Sequence, residues 1–234
     1  MEIKGKVVLV TGGLGNLGNG IAEALKMKGA KVIIFDCCSS QNTDTYKVDV
    51  TNEKEVIEAL SKIEKIDVLV NCAGEIYSEP ILNMLKSEHH SKTSWDRVIN
   101  NNLNSCFVMS VNTAMKMATN RTKGVIINLS SISALGNMGQ VAYSVSKAGV
   151  EVLTKVFAKE LGMFKIRVCS IAPGFIGTQS TNIALSNSMI DYWKKNIPLH
   201  KLGEIKDVIS TVEFIIENDY MTGNVIRIDG GLTI

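Results

Sequence analysis

Tyr143 and Lys147 put a phenol and an ammonium four residues apart in the run Tyr143-Ser144-Val145-Ser146-Lys147. On a helix, that spacing sets both side chains on one face. A phenol with an ordinary pKa near ~10 is a poor acid or base at neutral pH, and a neighbouring cation favours its ionised form. Lowering that pKa by about 3 units corresponds to roughly 4 kcal/mol of differential interaction. The pair could hold and move a proton, although the same pattern also occurs on solvated helix faces. What the rest of the chain places around it decides between the two.

A second chemical feature lies at the start. Val7-Val8-Leu9-Val10 is an apolar run that ends in Thr11-Gly12-Gly13 and leads into a helical pattern through Ile21, Ala22, Leu25 and Met27. Glycines at 12, 13, 15 and 18 permit a tight turn and let backbone approach a pyrophosphate at the helix N-terminus. The candidate cofactor loop is Thr11, Gly12, Gly15, Asn16, Leu17 and Gly18. The next apolar strand, Lys31 to Phe35, ends in Asp36, eighteen residues beyond Gly18. A carboxylate there accepts from the adenosine ribose hydroxyls and repels a 2′-phosphate. Cys37, Cys38, Ser39 and Ser40 follow, with no basic residue among them or in the glycine turn, so NAD is expected rather than NADP. A solvated aspartate closing a strand is the plainer reading, and Cys37 and Cys38 read as a redox pair or as ordinary loop thiols.

Further candidates sit where other strands end. Asp49 and Val50 follow the strand at 46–48 and could meet the adenine, or Asp49 could serve in a turn or as a helix cap ahead of Glu53. Ile66 to Val70 runs into Asn71-Cys72-Ala73-Gly74, where Asn71, Ala73 and Gly74 would let backbone approach a ribose. Val125 to Leu129 closes with Ser130-Ser131. Arg167 to Ile171 leads into Ala172-Pro173-Gly174-Phe175-Ile176-Gly177-Thr178; Pro173, Gly174 and Ile176 would present backbone to the nicotinamide, with the Thr178 hydroxyl beside it.

The elements that must carry these groups alternate. Strands near 6–10, 31–35, 46–48, 66–70, 125–129, 167–171 and 224–228 are separated by helical patterns, except between Asp36 and Tyr46, where the gap is too short for a crossover helix. Residues 75–94 read as a loop with a short helical turn, with His89 and His90 facing solvent. A helix is predicted from Thr93, interrupted by Asn100, Asn101, Asn102 and Asn104, either for a polar task or on a solvated face. Gln140 to Leu161 is predicted to be a helix with Val145, Ala148, Val152, Val156 and Phe157 in the core. Ile183, Leu185, Met189, Ile190, Tyr192 and Trp193 form an apolar set suited to covering a substrate. The sum is one α/β domain over residues 1–234, a doubly wound seven-stranded parallel sheet.

Bulk properties exclude other classes. A net charge of +2 without charge runs gives no footprint for nucleic acid. Five cysteines and three histidines show no zinc-site spacing, so no metal is expected. No apolar stretch is long enough for a signal peptide or membrane span, which points to the cytoplasm and reduced thiols.

Taken in order, Thr11-Gly12 to Gly18, Asn71-Cys72-Ala73-Gly74, Asn102, Ser131, Tyr143 to Lys147, Pro173-Gly174 and Asp229-Gly230-Gly231 resemble the classical short-chain dehydrogenase/reductase family over essentially the whole chain. Within it, Asn71-Cys72, the long segment before Trp95 and the C-terminal Ile215-to-Gly230 region look like the NAD-dependent 3-hydroxyacyl-CoA dehydrogenase and 3-oxoacyl-ACP reductase branch. The resemblance implies a Rossmann-type fold, a catalytic tetrad of Asn102, Ser131, Tyr143 and Lys147, NAD as cofactor, an alcohol or ketone as substrate, and a homo-oligomer, tetramer or dimer. Sugar or polyol oxidation is the alternative activity, and a non-catalytic cofactor-binding regulator a third. Two departures stand out. Asn16 occupies a position where the family usually has glycine or alanine. Eleven residues separate Ser131 from Tyr143, one fewer than the family commonly shows, so counting back from Tyr143 points to Ser130 and counting along the strand points to Ser131, which is preferred.

Overall fold

A computed structural model of the chain describes residues 1–178 and 187–233. The chain runs β1 (Val7–Thr11), α1 (Asn16–Met27), β2 (Lys31–Asp36), β3 (Thr45–Lys47), α2 (Glu53–Ser61), β4 (Val68–Asn71), β5 (Leu82–Asn83), β6 (Glu88–His89), α3 (Lys92–Ile99), α4 (Ser105–Thr119), β7 (Val125–Leu129), α5 (Val141–Leu161), β8 (Arg167–Pro173), α6 (Asn187–Asn196), α7 (Ile205–Glu217) and β9 (Val225–Ile228). Seven strands make one parallel sheet in the order β3-β2-β1-β4-β7-β8-β9. The winding reverses between β1 and β4, and the crevice at the carboxyl ends of the strands there is where such sheets take ligands.

Strand pleat sorts the apolar side chains onto two faces. Val8 and Val10 of β1 join Ile21 and Leu25 of α1 and Val208 and Val212 of α7 in one core. Leu9 faces the other way, into a core with Val56 and Leu60 of α2, Met109 and Met117 of α4, and Ala158 of α5. Burial of each such aliphatic side chain is worth roughly 1.5–3 kcal/mol, so the sheet is clamped between two layers. The register brings Thr11 beside Asn71, and Asn71 beside Asn128, at one level of the sheet.

Two expectations need correction, and a third, the helix interrupted at its asparagines, gains a structural form. The 75–94 segment holds the antiparallel hairpin β5–β6 rather than a helical turn. Within it His89 is exposed, but the side chain of His90 is only 10% exposed, with Nδ1 3.1 Å from the Glu79 carbonyl and the ring edge-on to Tyr77. Secondly, α3 and α4 are one helix joined by a π-helical turn at Asn100–Asn104, so the asparagine cluster is a local change of helical period. Thirdly, α5 turns its polar and small residues inward: Tyr143, Ser146, Lys147, Val150, Thr154 and Ala158 are buried, whereas Val145, Val152 and Val156 are 43%, 58% and 41% exposed. Core membership of those valines was inferred from hydrophobicity; the helix instead faces the sheet with its chemical side. Phe157 does pack partly against the core.

Of the predicted apolar cover, Ile183 and Leu185 lie outside the described residues. Trp193 of α6 stacks on Phe175 with ring centroids 4.2 Å apart. Among the described residues, no helix is long and apolar enough to cross a membrane.

Candidate active site

The glycine turn is built for close approach. Gly12 has φ +64°, and a Cβ on it would fall 2.8 Å from the Ala73 Cα. A Cβ on Gly18 would fall 2.2 Å from the Gly12 carbonyl oxygen, so α1 begins directly under the turn. Helix α1 starts after Gly15, which has no side chain to cap it, and carries no acidic residue in its first turn. Its leading N–H groups and dipole therefore favour an anion. Thr11 sits beneath, its Oγ1 accepting the N–H groups of Cys72 and Ala73, both at 3.1 Å. This clasp joins the glycine turn to the Asn71–Gly74 turn across the sheet crevice.

Asp36 is 8% exposed at the end of β2. Its Oδ2 accepts the Leu14 N–H and its Oδ1 the Cys38 N–H, each at 3.0 Å. The carboxylate is thus fixed against the glycine turn, at the edge where an adenosine ribose would lie.

Gly74 marks the other end of the crevice. A Cβ there would sit 2.4 Å from Asn102 Oδ1 and 3.6 Å from Lys147 Nζ, which only glycine avoids. Asn102, 1% exposed, lies in the π turn. Its Nδ2 donates to the carbonyls of Val98 (3.0 Å) and Glu75 (3.1 Å), and its Oδ1 accepts the Glu75 N–H (3.2 Å). The widened turn buries one asparagine of the cluster and leaves Asn104 exposed.

Lys147 Nζ donates to the Leu129 carbonyl at 2.8 Å and lies 5.6 Å from the centroid of the Tyr143 ring. Burial pulls its pKa down, opposed by the thiols of Cys106 and Cys72. Burial pushes Tyr143 up to about 12, and the hydroxyl of Ser131, turned toward the phenol, works in the opposite direction. The expected lowering of the Tyr143 pKa is therefore reversed here, because losing hydration costs a phenolate more than its surroundings return. Cys72 and Cys106 are likewise raised to about 11 by burial, which leaves them inert thiols at neutral pH.

The two serines separate. Ser130 Oγ is directed inward, 3.2 Å from the Lys147 carbonyl and 3.1 Å from Glu151 Oε1. Ser131 accepts the Ser133 N–H at 3.1 Å from the Tyr143 side. The next residue, Ile132, is buried in an apolar cluster with Ile197 and Leu232, against which Phe175, Trp193 and Leu202 pack.

Other expected residues are placed as follows. Asn71 does not aim its side chain at the crevice: its Nδ2 donates to Ser110 Oγ (2.9 Å) and Asn128 Oδ1 (2.8 Å) inside the protein. The strand pleat sends it there, so only its backbone faces the site. Asp49 is exposed and accepts the Thr51 N–H and hydroxyl in a turn ahead of α2, whereas the helix itself is capped by Asn52, which accepts the Lys54 N–H; of the two local roles weighed for Asp49, it takes the turn. Val50 packs partly against the core. Gly174 packs against Asp229, where a Cβ would fall 2.8 Å from its Cα. Pro173 ends β8, and Ile176 bridges to Gly203; Thr178 is partly buried. Sequence reasoning missed Asn128, which donates to Thr154 (2.9 Å) and anchors Asn71; a lone asparagine inside the apolar run Val125–Leu129 was the available signal.

The crevice, the glycine turn and the Tyr143–Lys147 pair define a nucleotide-dependent oxidoreductase of the short-chain type, and the comparisons agree. A family model described as "Enoyl-(Acyl carrier protein) reductase" matches residues 13–233. The chain is 38% identical to a 3-hydroxyacyl-CoA dehydrogenase type-2 of Drosophila melanogaster, covering 98% of each chain. It is also 38% identical to a 3-oxoacyl-acyl-carrier-protein reductase of Thermotoga maritima, covering 100% of each. A solved structure of a putative gluconate dehydrogenase from Agrobacterium tumefaciens superposes with a TM-score of 0.87 at 29% identity, covering 98% of this chain and 96% of that one. The chain belongs to the short-chain dehydrogenase/reductase family, and it is an oxidoreductase of CH–OH groups.

Proposed function

We propose that this chain uses NAD(H) to interconvert a 3-hydroxyacyl and a 3-oxoacyl thioester. The observation that carries this reading is the meeting of Ser131, Tyr143 and Lys147, with Tyr143 packed among Val98, Ala142, Tyr77 and Trp95. The names of the relatives at 38% identity support the acyl substrate.

The cradle at Gly12, Gly18 and Gly74, where a Cβ would strike backbone or Asn102, fits a dinucleotide. The N-terminus of α1, with Gly15, Asn16 and Leu17, would hold the pyrophosphate. Asp36 would take the adenosine ribose, with Asp49 and Val50 toward the adenine, and the Asn71, Ala73 and Gly74 backbone would lie along the rest. Pro173, Gly174, Ile176 and Thr178 would hold the carboxamide end. When bound, the nicotinamide supplies hydride exchange with the carbinol carbon. Tyr143 gives or takes the proton at the substrate oxygen as general acid or base. Ser131 hydrogen-bonds the same oxygen and steadies its developing charge. Lys147 holds ribose hydroxyls and relays the proton, and Asn102, anchored to Glu75, would seat the relay water beside it. NAD over NADP rests on Asp36, because a second negative group at that edge is disfavoured.

A polyol or sugar-acid substrate is the second reading, favoured by the gluconate dehydrogenase likeness. Following NADH absorbance with acetoacetyl thioesters against gluconate and polyols separates the two: turnover confined to the sugar acids overturns the acyl reading. Self-association is supported by apolar side chains left exposed on α4 and α5, among them Phe107, Met115, Val152 and Val156. A cytoplasmic setting fits the five free cysteines.

A further inference from the structure

Cys37 and Cys38 take no part in the chemistry above, yet both are exposed directly after Asp36. Cys37 Sγ lies 3.8 Å from Asp36 Oδ1, the same oxygen that accepts the Cys38 N–H at 3.0 Å. One carboxylate oxygen and both sulfurs lie within 4.8 Å of one another. Two sulfurs bound to a tetrahedral zinc, each at about 2.3 Å, stand about 3.8 Å apart. Exposed thiols within 4.8 Å can close to that separation by a shift of about 1 Å. The carboxylate needs no rearrangement, because Leu14 and Cys38 already hold it.

Ligand chemistry narrows the occupant. Two thiols with a carboxylate are a soft, anionic set that favours zinc-class ions over magnesium or calcium, which prefer all-oxygen ligands. The sulfurs face solvent, so a water can complete the tetrahedron. We propose that Asp36, Cys37 and Cys38 form a binding site for one zinc-class cation, whose occupation withdraws Asp36 from the adenosine ribose. On binding, each thiol releases its proton to solvent and bonds the metal as thiolate, and the metal's oxidation state does not change. The competition with cofactor rests on the NAD reading above; the metal site does not.

The test is a cadmium titration of metal-stripped, reduced full-length protein, following thiolate-to-cadmium charge-transfer absorbance. The band is expected to saturate at one ion per chain and to vanish in the Cys37→Ser/Cys38→Ser double variant, which retains Cys72, Cys106 and Cys169. Saturating cadmium or zinc should weaken NADH binding by about tenfold or more in the unmodified protein and leave the double variant unmoved. No band, or a band that survives in the double variant, overturns the site. A normal band with unchanged NADH affinity overturns the competition. Failure of the NAD reading alone looks different: NADPH would match NADH in metal-free protein while the cadmium band remained.

Discussion

Ser130 and Ser131 are adjacent in the chain, yet one hydroxyl is committed inward to the Lys147 carbonyl and Glu151, at 3.2 and 3.1 Å, and the other faces Tyr143. Ser131→Ala is therefore expected to lower kcat by on the order of 10² to 10³, the usual loss for a group that steadies a developing oxyanion. Ser130→Ala should cost about 1 kcal/mol of stability and leave turnover largely intact. Steady-state kinetics and urea melts of both variants check this, and the reverse pattern would exchange the two assignments.

Tyr143→Phe removes the proton donor and keeps the ring. Turnover should fall by on the order of 10² to 10⁴, while NADH binding, followed by fluorescence, stays close to that of the parent. Retained activity would sink the general acid–base role.

The raised Tyr143 pKa has a stability consequence. The phenol ionises near ~10 in the unfolded chain and at about 12 in the folded one. Its contribution is then fully present below about pH 10 and is lost as pH rises toward 12, at about 1.4 kcal/mol per unit between the two values. Urea midpoints of the parent should drop relative to Tyr143→Phe between about pH 9 and pH 11. Parallel curves would show that the folded phenol ionises normally.

Asp36 should make NADPH the poorer cofactor. A like charge beside a fixed carboxylate costs several kcal/mol, so kcat/KM is expected to favour NADH by on the order of 10² or more. Asp36→Asn should narrow that ratio by removing the charge and keeping the shape. Equal rates with both cofactors in the unmodified enzyme would refute the assignment.

The exposed valines of α5 are expected to meet a second copy of the chain. Val152, 58% exposed, is a site where glutamate disturbs nothing inside the subunit. Val152→Glu should shift light-scattering mass toward the 25.5 kDa of one chain. A parent protein already at that mass would refute the association.

Much of the fold was legible because buried parallel strands are apolar on both faces, and most runs here ended in asparagine, aspartate or serine. The position of Asp36 was legible too, since strand, turn and helix lengths leave little freedom between Gly18 and the end of β2. Other features depend on which way a side chain points. Asn71 was read for its backbone alone, and nothing local showed that the pleat turns its side chain toward Asn128. The inward face of α5 was misread because hydrophobicity does not reveal that a helix buries a lysine and a tyrosine and leaves Val145, Val152 and Val156 outside. The direction of the Tyr143 shift depends on dehydration by neighbours distant in sequence, which no local pattern encodes. The π turn left only an oddity, too many asparagines in mid-helix.

That turn also sets what kinds of sequence change the region can absorb. A π turn accommodates one residue more than the α-helical period allows, and each residue of an α-helix advances the chain by about 100°. Deleting one residue between 100 and 104 would therefore let the helix relax to its ordinary period with Met109 and Met117 still facing the core they fill, at the expense of the widened turn that buries Asn102 against Val98 and Glu75. Exposed Asn104 can exchange its letter freely, whereas the extra residue is what seats Asn102. The core tolerates the shorter helix and the buried asparagine does not, so the spare residue serves the crevice and not the packing.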